Sequence, residues 1–154
     1  MQPSKLSAES LRADRGSASL EFITAGLLLL VPIVYLVLAL SAVQAAALAV
    51  DGAARQATRV YVQSSTPSAA RSAAARAIAV TLADYGVDVA AATVKITCRP
   101  RPNSCLTRRG YVTITVSTIV RLPLAPPFLD LGLPAGLPVS ATATEQVSRF
   151  WGSR

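Results

Sequence analysis

The sequence predicts an α+β protein, in which a long apolar N-terminal helix is followed by a second helix and a small antiparallel sheet of about three strands. The first observation is that no charged side chain lies between Glu21 and Asp51, a stretch long enough to span a bilayer as a helix. The second is an alanine-rich segment after it, with apolar residues at helical spacing. The third is a set of later stretches in which apolar and hydroxyl-bearing side chains alternate.

The apolar stretch and the overall composition predict a membrane anchor. Hydrophobic residues make up 52% of the chain and charged residues 15%, whereas a soluble domain has about 25% charged residues. Residues 22–43 meet the length that a transmembrane helix requires. Two alternatives remain open: a buried helix of a soluble core, and a removed signal peptide cut among the small residues 43–47.

The residue inventory argues against an enzyme. The chain has no histidine, which excludes histidine-based catalytic triads and histidine metal ligands. The acidic residues after the apolar stretch are scattered, with no nucleophile or phosphate-binding loop beside them. We therefore expect a non-enzymatic protein with no cofactor and no metal. These acidic residues include Asp84, Asp88, Asp130 and Glu145.

A glycine followed at the fifth position by a carboxylate opens the apolar stretch. A charge within a membrane is costly unless it is paired, so Glu21 invites a functional hypothesis with a specific partner. The alternative is that Glu21 simply lies at the headgroup boundary, where its cost is small. The junction reads Arg15, Gly16, Ser17, Ala18, Ser19, Leu20, Glu21 and Phe22.

This junction resembles the processing site of type IV prepilins, and residues 15–62 resemble the TadE-like pseudopilins of the tight-adherence (Flp) pilus system. The resemblance implies that a membrane prepilin peptidase cuts between Gly16 and Ser17. It also implies that Glu21 neutralises the new N-terminal amine during assembly, a pairing that lowers the burial cost of both charges. The implied function is that of a minor pseudopilin that helps initiate or cap an Flp-type pilus. The implied partners are other pilins or pseudopilins, the pilus assembly platform, the peptidase and the lipid bilayer.

The expected topology places the N-terminus in the cytoplasm and the C-terminal domain outside the inner or cytoplasmic membrane. A short polar segment precedes the apolar helix, and the first helix usually sets the orientation. This topology also puts both cysteines in an oxidising compartment, where a disulfide persists. The expected boundaries are a cleaved leader at 1–16, a transmembrane helix at 17–50 and an extracytoplasmic domain at 51–154.

Local signals divide the domain into helix and strands. Ser65 or Thr66 is expected to cap a helix with Pro67 at its first position, and Gly86 to end it. This second helix is expected over residues 69–85. Strands are expected over residues 93–98, 111–120 and 139–147, a Pro- and Leu-rich loop over 122–138, and a short, frayed C-terminal tail. The apolar stripe of the second helix consists of Ala70, Ala74, Ala77, Ile78 and Leu82.

The connection between the first two strands is expected to carry a disulfide and a basic loop. Cys98 and Cys105 would close a short loop, with two free thiols as the alternative. The arginines beside it could contact an anionic surface or nucleic acid, although no aromatic residue is interleaved with them to stack on bases. A membrane-anchored binding domain using this loop is therefore the alternative function, and a solvated hairpin tip is the plainer reading. The arginines are Arg99, Arg101, Arg108 and Arg109.

Overall fold

The first helix, α1 (Ser7–Gln63), runs for 57 residues without interruption and passes through Pro32. The computed structural model describes residues 7–121 and 136–152, and their side chains from residue 18 onward. Within these residues, α1 provides one helix that is long and apolar enough to cross a membrane. Part of the predicted leader, residues 1–6, and the side chains of residues 7–17, Ser17 included, lie outside the described part of the chain.

The chain divides into two units, Met1–Ala39 and Leu40–Arg154. In the first unit, the described residues belong to α1 alone. The second unit contains the rest of α1 together with the second helix and the sheet. Its core already includes Val50, which is 1% exposed, and Ala46 is 3% exposed. The last residues of the predicted transmembrane segment are therefore covered by the protein itself.

The second helix, α2 (Pro67–Asp84), begins and ends at the signals that the sequence contains. The Thr66 hydroxyl accepts a hydrogen bond from the Ala69 N–H at 3.2 Å, and Pro67 occupies the first turn. Gly86 follows the helix with a φ of 68°, a left-handed conformation that glycine adopts at little cost. The predicted cap, first residue and terminating glycine are all confirmed.

Three antiparallel strands form one sheet in the order β1-β2-β3. They are β1 (Thr93–Arg99), β2 (Tyr111–Val120) and β3 (Leu137–Gln146), and a short 3-10 turn at Val89–Ala91 precedes β1. This arrangement confirms the predicted α+β class. The third strand begins two residues before the predicted start at 139, and most of the predicted loop, residues 122–135, lies outside the described residues.

One face of the sheet joins the helices in a single hydrophobic core. Ile96 lies opposite Ile114 in the strand register, and Ile114 lies opposite Ala143 on the other side. Small residues bring the helices close together, since a Cβ placed on Gly52 would lie 3.4 Å from the Thr81 methyl group. The predicted stripe of α2 is buried apart from Ala77, which is half-buried. The core residues of α1 are Ala49, Val50, Ala53, Ala54, Ala57 and Tyr61.

The opposite face of the sheet is lined with hydroxyl groups. Thr113 and Thr144 form a cross-strand hydrogen bond of 2.8 Å between their side-chain oxygens. Thr115 and Thr142 form a second one of 2.9 Å. The alternation of apolar and hydroxyl-bearing residues in the sequence therefore separates a core face from a polar face, as period-two strands require.

Candidate functional site

The N-terminal half of α1 exposes a continuous apolar surface. Its large apolar side chains are exposed by fractions that range from 46% at Leu38 to 81% at Phe22. A soluble monomer rarely leaves an apolar surface of this extent in water, so this surface requires lipid or other helices around it. It consists of Leu20, Phe22, Ile23, Leu27, Leu28, Leu29, Leu30, Val31, Ile33, Val34, Leu36, Val37, Leu38 and Leu40.

Glu21 lies at the start of this apolar surface. The side chain is exposed, and among the described side chains it forms neither a salt bridge nor a hydrogen bond. Its carboxylate is therefore available to a cation from another group. Gly16 and Ser17 lie within α1 one to two turns before it, so the predicted cleavage point falls inside a helix.

The predicted disulfide joins Cys98 at the end of β1 to Cys105, with their Cα atoms 5.0 Å apart. The Cys98 side chain belongs to the core and is 5% exposed. A crosslink around so short a loop stabilises the folded state by about 2–3 kcal/mol, because it restricts the unfolded chain. The loop that carries the arginines is thus tied to the core at both ends.

Two of the four predicted arginines line the same cavity. Arg101 and Arg108 line a shallow cavity of about 520 Å³ whose wall also includes Trp151. Arg99 and Arg109 do not line it. The sequence separates Arg108 from Trp151 by 43 residues, so no spacing rule could have placed an aromatic ring beside these arginines.

Trp151 connects the C-terminal segment to two distant parts of the fold. Its indole N–H donates to the Ser64 carbonyl at 2.9 Å, just beyond the end of α1. Its own carbonyl accepts from Arg108 Nε at 2.9 Å. The predicted fraying of the tail is therefore wrong as far as Trp151. The only signal in the sequence was that this is the single tryptophan.

Arg109 forms backbone hydrogen bonds in the same region. Its φ is 59°, and its N–H donates to the Val147 carbonyl at 3.1 Å. The Gln146 side-chain amide donates to the Arg109 carbonyl at 3.3 Å. Arg108 and Arg109 thus hold the tail against the loop, and all four predicted arginines are exposed.

The loop and the tail at this end of the domain carry basic side chains and no acidic ones, and Glu145 of β3 is the carboxylate next to them. Segments 98–110 and 147–152 contain no aspartate or glutamate in the sequence. The Arg149 guanidinium lies 4.6 Å from the centre of the Phe150 ring, within the range of a cation–π contact. We call the following residues the arginine cluster: Arg99, Arg101, Arg108, Arg109 and Arg149.

The arginine cluster lies far along the domain from the end of the apolar stretch. The apolar stretch that we expect to cross the membrane ends at Val43, whereas Trp151 meets the chain at Ser64. At 1.5 Å per residue these two levels are about 30 Å apart. That exceeds the roughly 8 Å over which charges act at physiological salt, so the arginine cluster is out of range of a bilayer surface at Val43.

No metal site or family relationship adds to this picture. Among the described residues there is no group of three His, Cys, Asp or Glu side chains that could hold a metal ion. Comparisons with protein-family models, with curated proteins and with solved structures found no match.

Proposed function

We propose that this protein is a minor pseudopilin of the TadE-like type, a membrane-anchored structural subunit that helps initiate or cap an Flp-type pilus. The single observation that carries the proposal is the uncovered apolar surface of α1, opened by the carboxylate of Glu21, which has no salt bridge or hydrogen bond among the described side chains. A subunit of a helical bundle needs both features. The apolar surface provides the packing area, and the carboxylate provides one charge that fixes the register.

The physical mechanism is exchange of lipid for neighbouring helices. In the bilayer the side chains of residues 22–43 contact acyl chains, and in an assembly they contact the same stretch of other subunits. Cleavage between Gly16 and Ser17 creates a new amine four residues before Glu21. Pairing of an amine with that carboxylate removes two uncompensated charges from an apolar environment, and a pairing between two subunits favours the register that brings the two groups together.

The arrangement of α1 supports a pilin-like organisation. One part of the helix is apolar and exposed, and the part from Ala46 onward is covered by α2 and a three-stranded antiparallel sheet. A long helix whose second half is built into an α+β domain can present that domain at the surface of a bundle. Most of the exposed surface of the sheet is lined with hydroxyl groups and suits contact with water.

The disulfide supports an extracytoplasmic location for the domain. A disulfide persists in oxidising compartments and is rare in the cytosol. The Cys98–Cys105 bond therefore favours a topology in which the N-terminus stays in the cytoplasm and the domain lies outside the inner or cytoplasmic membrane. Prepilin peptidase, other pilins or pseudopilins and the assembly platform are the proposed partners, and no enzymatic role is proposed.

The test is the intact mass and N-terminal sequence of the protein recovered from its native membrane. A mature chain that begins at Ser17 supports prepilin-type processing. A chain that still begins at Met1 contradicts it and leaves a plain membrane anchor. A chain that begins between residues 45 and 47 indicates an ordinary secreted protein, and both the anchor and the pseudopilin proposal then fail.

The second candidate function is a membrane-anchored binding domain that uses the arginine cluster. The observation that favours it is the cavity shared by Arg101, Arg108 and Trp151, where positive charge meets an aromatic ring. An anionic macromolecule is the partner that fits this chemistry, and nucleic acid belongs to that class. An uncleaved Gly16–Ser17 bond together with binding that is lost in an Arg101→Ala variant would favour this candidate over the pseudopilin.

A further inference from the structure

A second cavity lies at the opposite end of the domain from the arginine cluster. It has a volume of about 340 Å³, and its wall includes Ala42 of α1, Tyr85 after α2, and Ile119 and Arg121 at the end of β2. The apolar residues 22–43, which meet the length that a transmembrane helix requires, end at Val43. The end of α2 and the end of β2 therefore reach the level of α1 at which the chain is expected to leave the bilayer.

Large apolar side chains are exposed at this end. Tyr85 is 46% exposed, Ile119 is 54% exposed, and Leu137 is 48% exposed. Leu137 belongs here because it lies opposite Val120, the last residue of β2, in the strand register. Arg121, the residue directly after Val120, is also exposed. We call Tyr85, Ile119, Arg121 and Leu137 the membrane-proximal rim.

The chemistry of the membrane-proximal rim is that of a lipid interface. Tyrosine concentrates at the headgroup level of membranes because its ring is apolar and its hydroxyl is polar. Arginine places its stem along apolar surface and its charge in the headgroup layer. The sequence between Arg121 and Gly136 carries one charge, Asp130, in fourteen residues, so the chain that joins the two rim strands is itself apolar in composition.

A buried hydroxyl opens onto the same cavity. The Thr118 side chain is 4% exposed and lines the cavity. Its oxygen has no hydrogen-bond partner within the described residues. A buried hydroxyl is normally paired, often with an ordered water, and the adjoining cavity has room for one.

We infer that the membrane-proximal rim rests on the outer surface of the phospholipid bilayer and holds the domain in one orientation. Ile119 and Leu137 enter the boundary of the acyl chains, Tyr85 lies at the glycerol level, and Arg121 contacts lipid phosphates. This inference rests on the membrane anchor of the proposed function. It goes beyond that function because an anchored domain could equally stand clear of the lipid on α1.

The test places the full chain in phosphatidylcholine nanodiscs, one chain per disc, with a small fraction of lipid that carries a paramagnetic gadolinium headgroup. Backbone amide signals close to the label lose intensity by relaxation. We expect the amides of Tyr85, Ile119 and Arg121 to lose most of their intensity. The amides of Tyr111 and Trp151, at the far end of the domain, should keep theirs.

A pair of variants on one strand provides the control. Ile119→Glu introduces a charge at the rim and should restore most of the lost intensity at Arg121. Tyr111→Glu introduces the same charge at the other end of β2, about 26 Å away at 3.3 Å per residue, and should change nothing at the rim. Both side chains are exposed, so neither change disturbs the core.

Two results would overturn the inference while leaving the anchor intact. In one, the chain stays with the disc but the rim amides keep their intensity, so the domain stands clear of lipid. In the other, the rim amides are shielded from a water-soluble paramagnetic agent but unaffected by the lipid label, so protein rather than lipid covers the rim. A chain that does not stay with the disc contradicts the anchor of the proposed function as well.

Discussion

Glu21 is the only carboxylate in the chain between Arg15 and Asp51, and its position matters more than its surroundings. The side chain has no salt bridge among the described residues. A charge at the start of an apolar helix is expected to have a function, because replacing it with an uncharged residue would favour membrane insertion. Its proposed use is to pair with an amine from another subunit or from its own cleaved terminus.

We expect Glu21→Ala to insert into the membrane normally and to reduce pilus assembly strongly. The change removes the charge that fixes the helix register but leaves the apolar surface intact. The measurement is the amount of sheared pilus relative to the amount of this protein in the carbonate-washed membrane fraction. Ser19→Ala, two residues away on the same helix and without a charge, is the control and should assemble normally. Wild-type pilus levels in the glutamate variant would contradict the assembly role.

Trp151 is the residue whose removal should most affect the C-terminal segment. Trp151→Ala loses the hydrogen bond to Ser64 and the half-buried ring. We expect a loss of about 2 kcal/mol in the free energy of unfolding, from one hydrogen bond and the apolar area of the ring. Denaturant unfolding of the detergent-solubilised chain, followed by circular dichroism, measures it. Phe150→Ala changes the exposed neighbouring ring and should cost clearly less; equal losses would contradict a special role for Trp151.

At the scale of single elements, the sequence predicted α2 well and α1 incompletely. The start of α2 is decided by Thr66 and Pro67, which act on backbone groups within four residues, so a local reading finds them. Near Ala46 the side chains of α1 change from exposed to covered by the domain, and no local feature of the sequence indicates this change. Alanine and valine are equally suited to lipid and to a protein core, and only the folded domain reveals that Ala49 and Val50 are covered.

The cap of α2 gives a prediction about that element alone. Thr66→Ala removes the side-chain acceptor for the Ala69 N–H, and should lower the free energy of unfolding by about 1 kcal/mol. Ser65→Ala alters the neighbouring hydroxyl, which does not serve as the cap, and should leave the unfolding midpoint nearly unchanged. A larger effect at Ser65 than at Thr66 would show that the helix is capped differently in solution.

The alanine face of α1 should not tolerate larger side chains. Ala57 lies on the face of α1 that belongs to the core, and its side chain is fully buried. Ala57→Leu should destabilise the domain by about 1–3 kcal/mol, because the added carbons have no space. The adjacent Gln56→Leu points to the exposed side and should be tolerated. Thermal unfolding of the two variants side by side provides the comparison, and equal melting temperatures would contradict close helix packing.

At the scale of the whole molecule, the core belongs to the unit that begins at Leu40. We therefore expect a chain of residues 40–154, with its disulfide oxidised, to fold without detergent. A chain of residues 51–154 lacks Ala49 and Val50, two core residues, and should be less stable. Circular dichroism and size-exclusion chromatography of both chains measure the difference. Failure of the longer chain to fold would show that the N-terminal half of α1 also supports the domain.

The sequence predicted the class of the molecule but not the long-range contacts that complete it. The alternation in β2 identified the whole strand, because period-two patterning is a local property. The contact between Trp151 and Ser64 joins residues 87 positions apart, and nothing local in either segment indicates the other. The grouping of Arg101 and Arg108 with Trp151 around one cavity is a long-range feature of the same kind.

The attachment of the tail has a mechanical consequence. Strand β3 is the last strand and lies at the edge of the sheet. In a plain sheet, a force on the C-terminus would peel such a strand away one hydrogen bond at a time. Here the Trp151 indole and the Val147 N–H, which donates to the Gly110 carbonyl at 2.8 Å, tie the chain beyond the strand. Load is passed first to the end of α1, so the long N-terminal helix also bears the tension applied at the C-terminus.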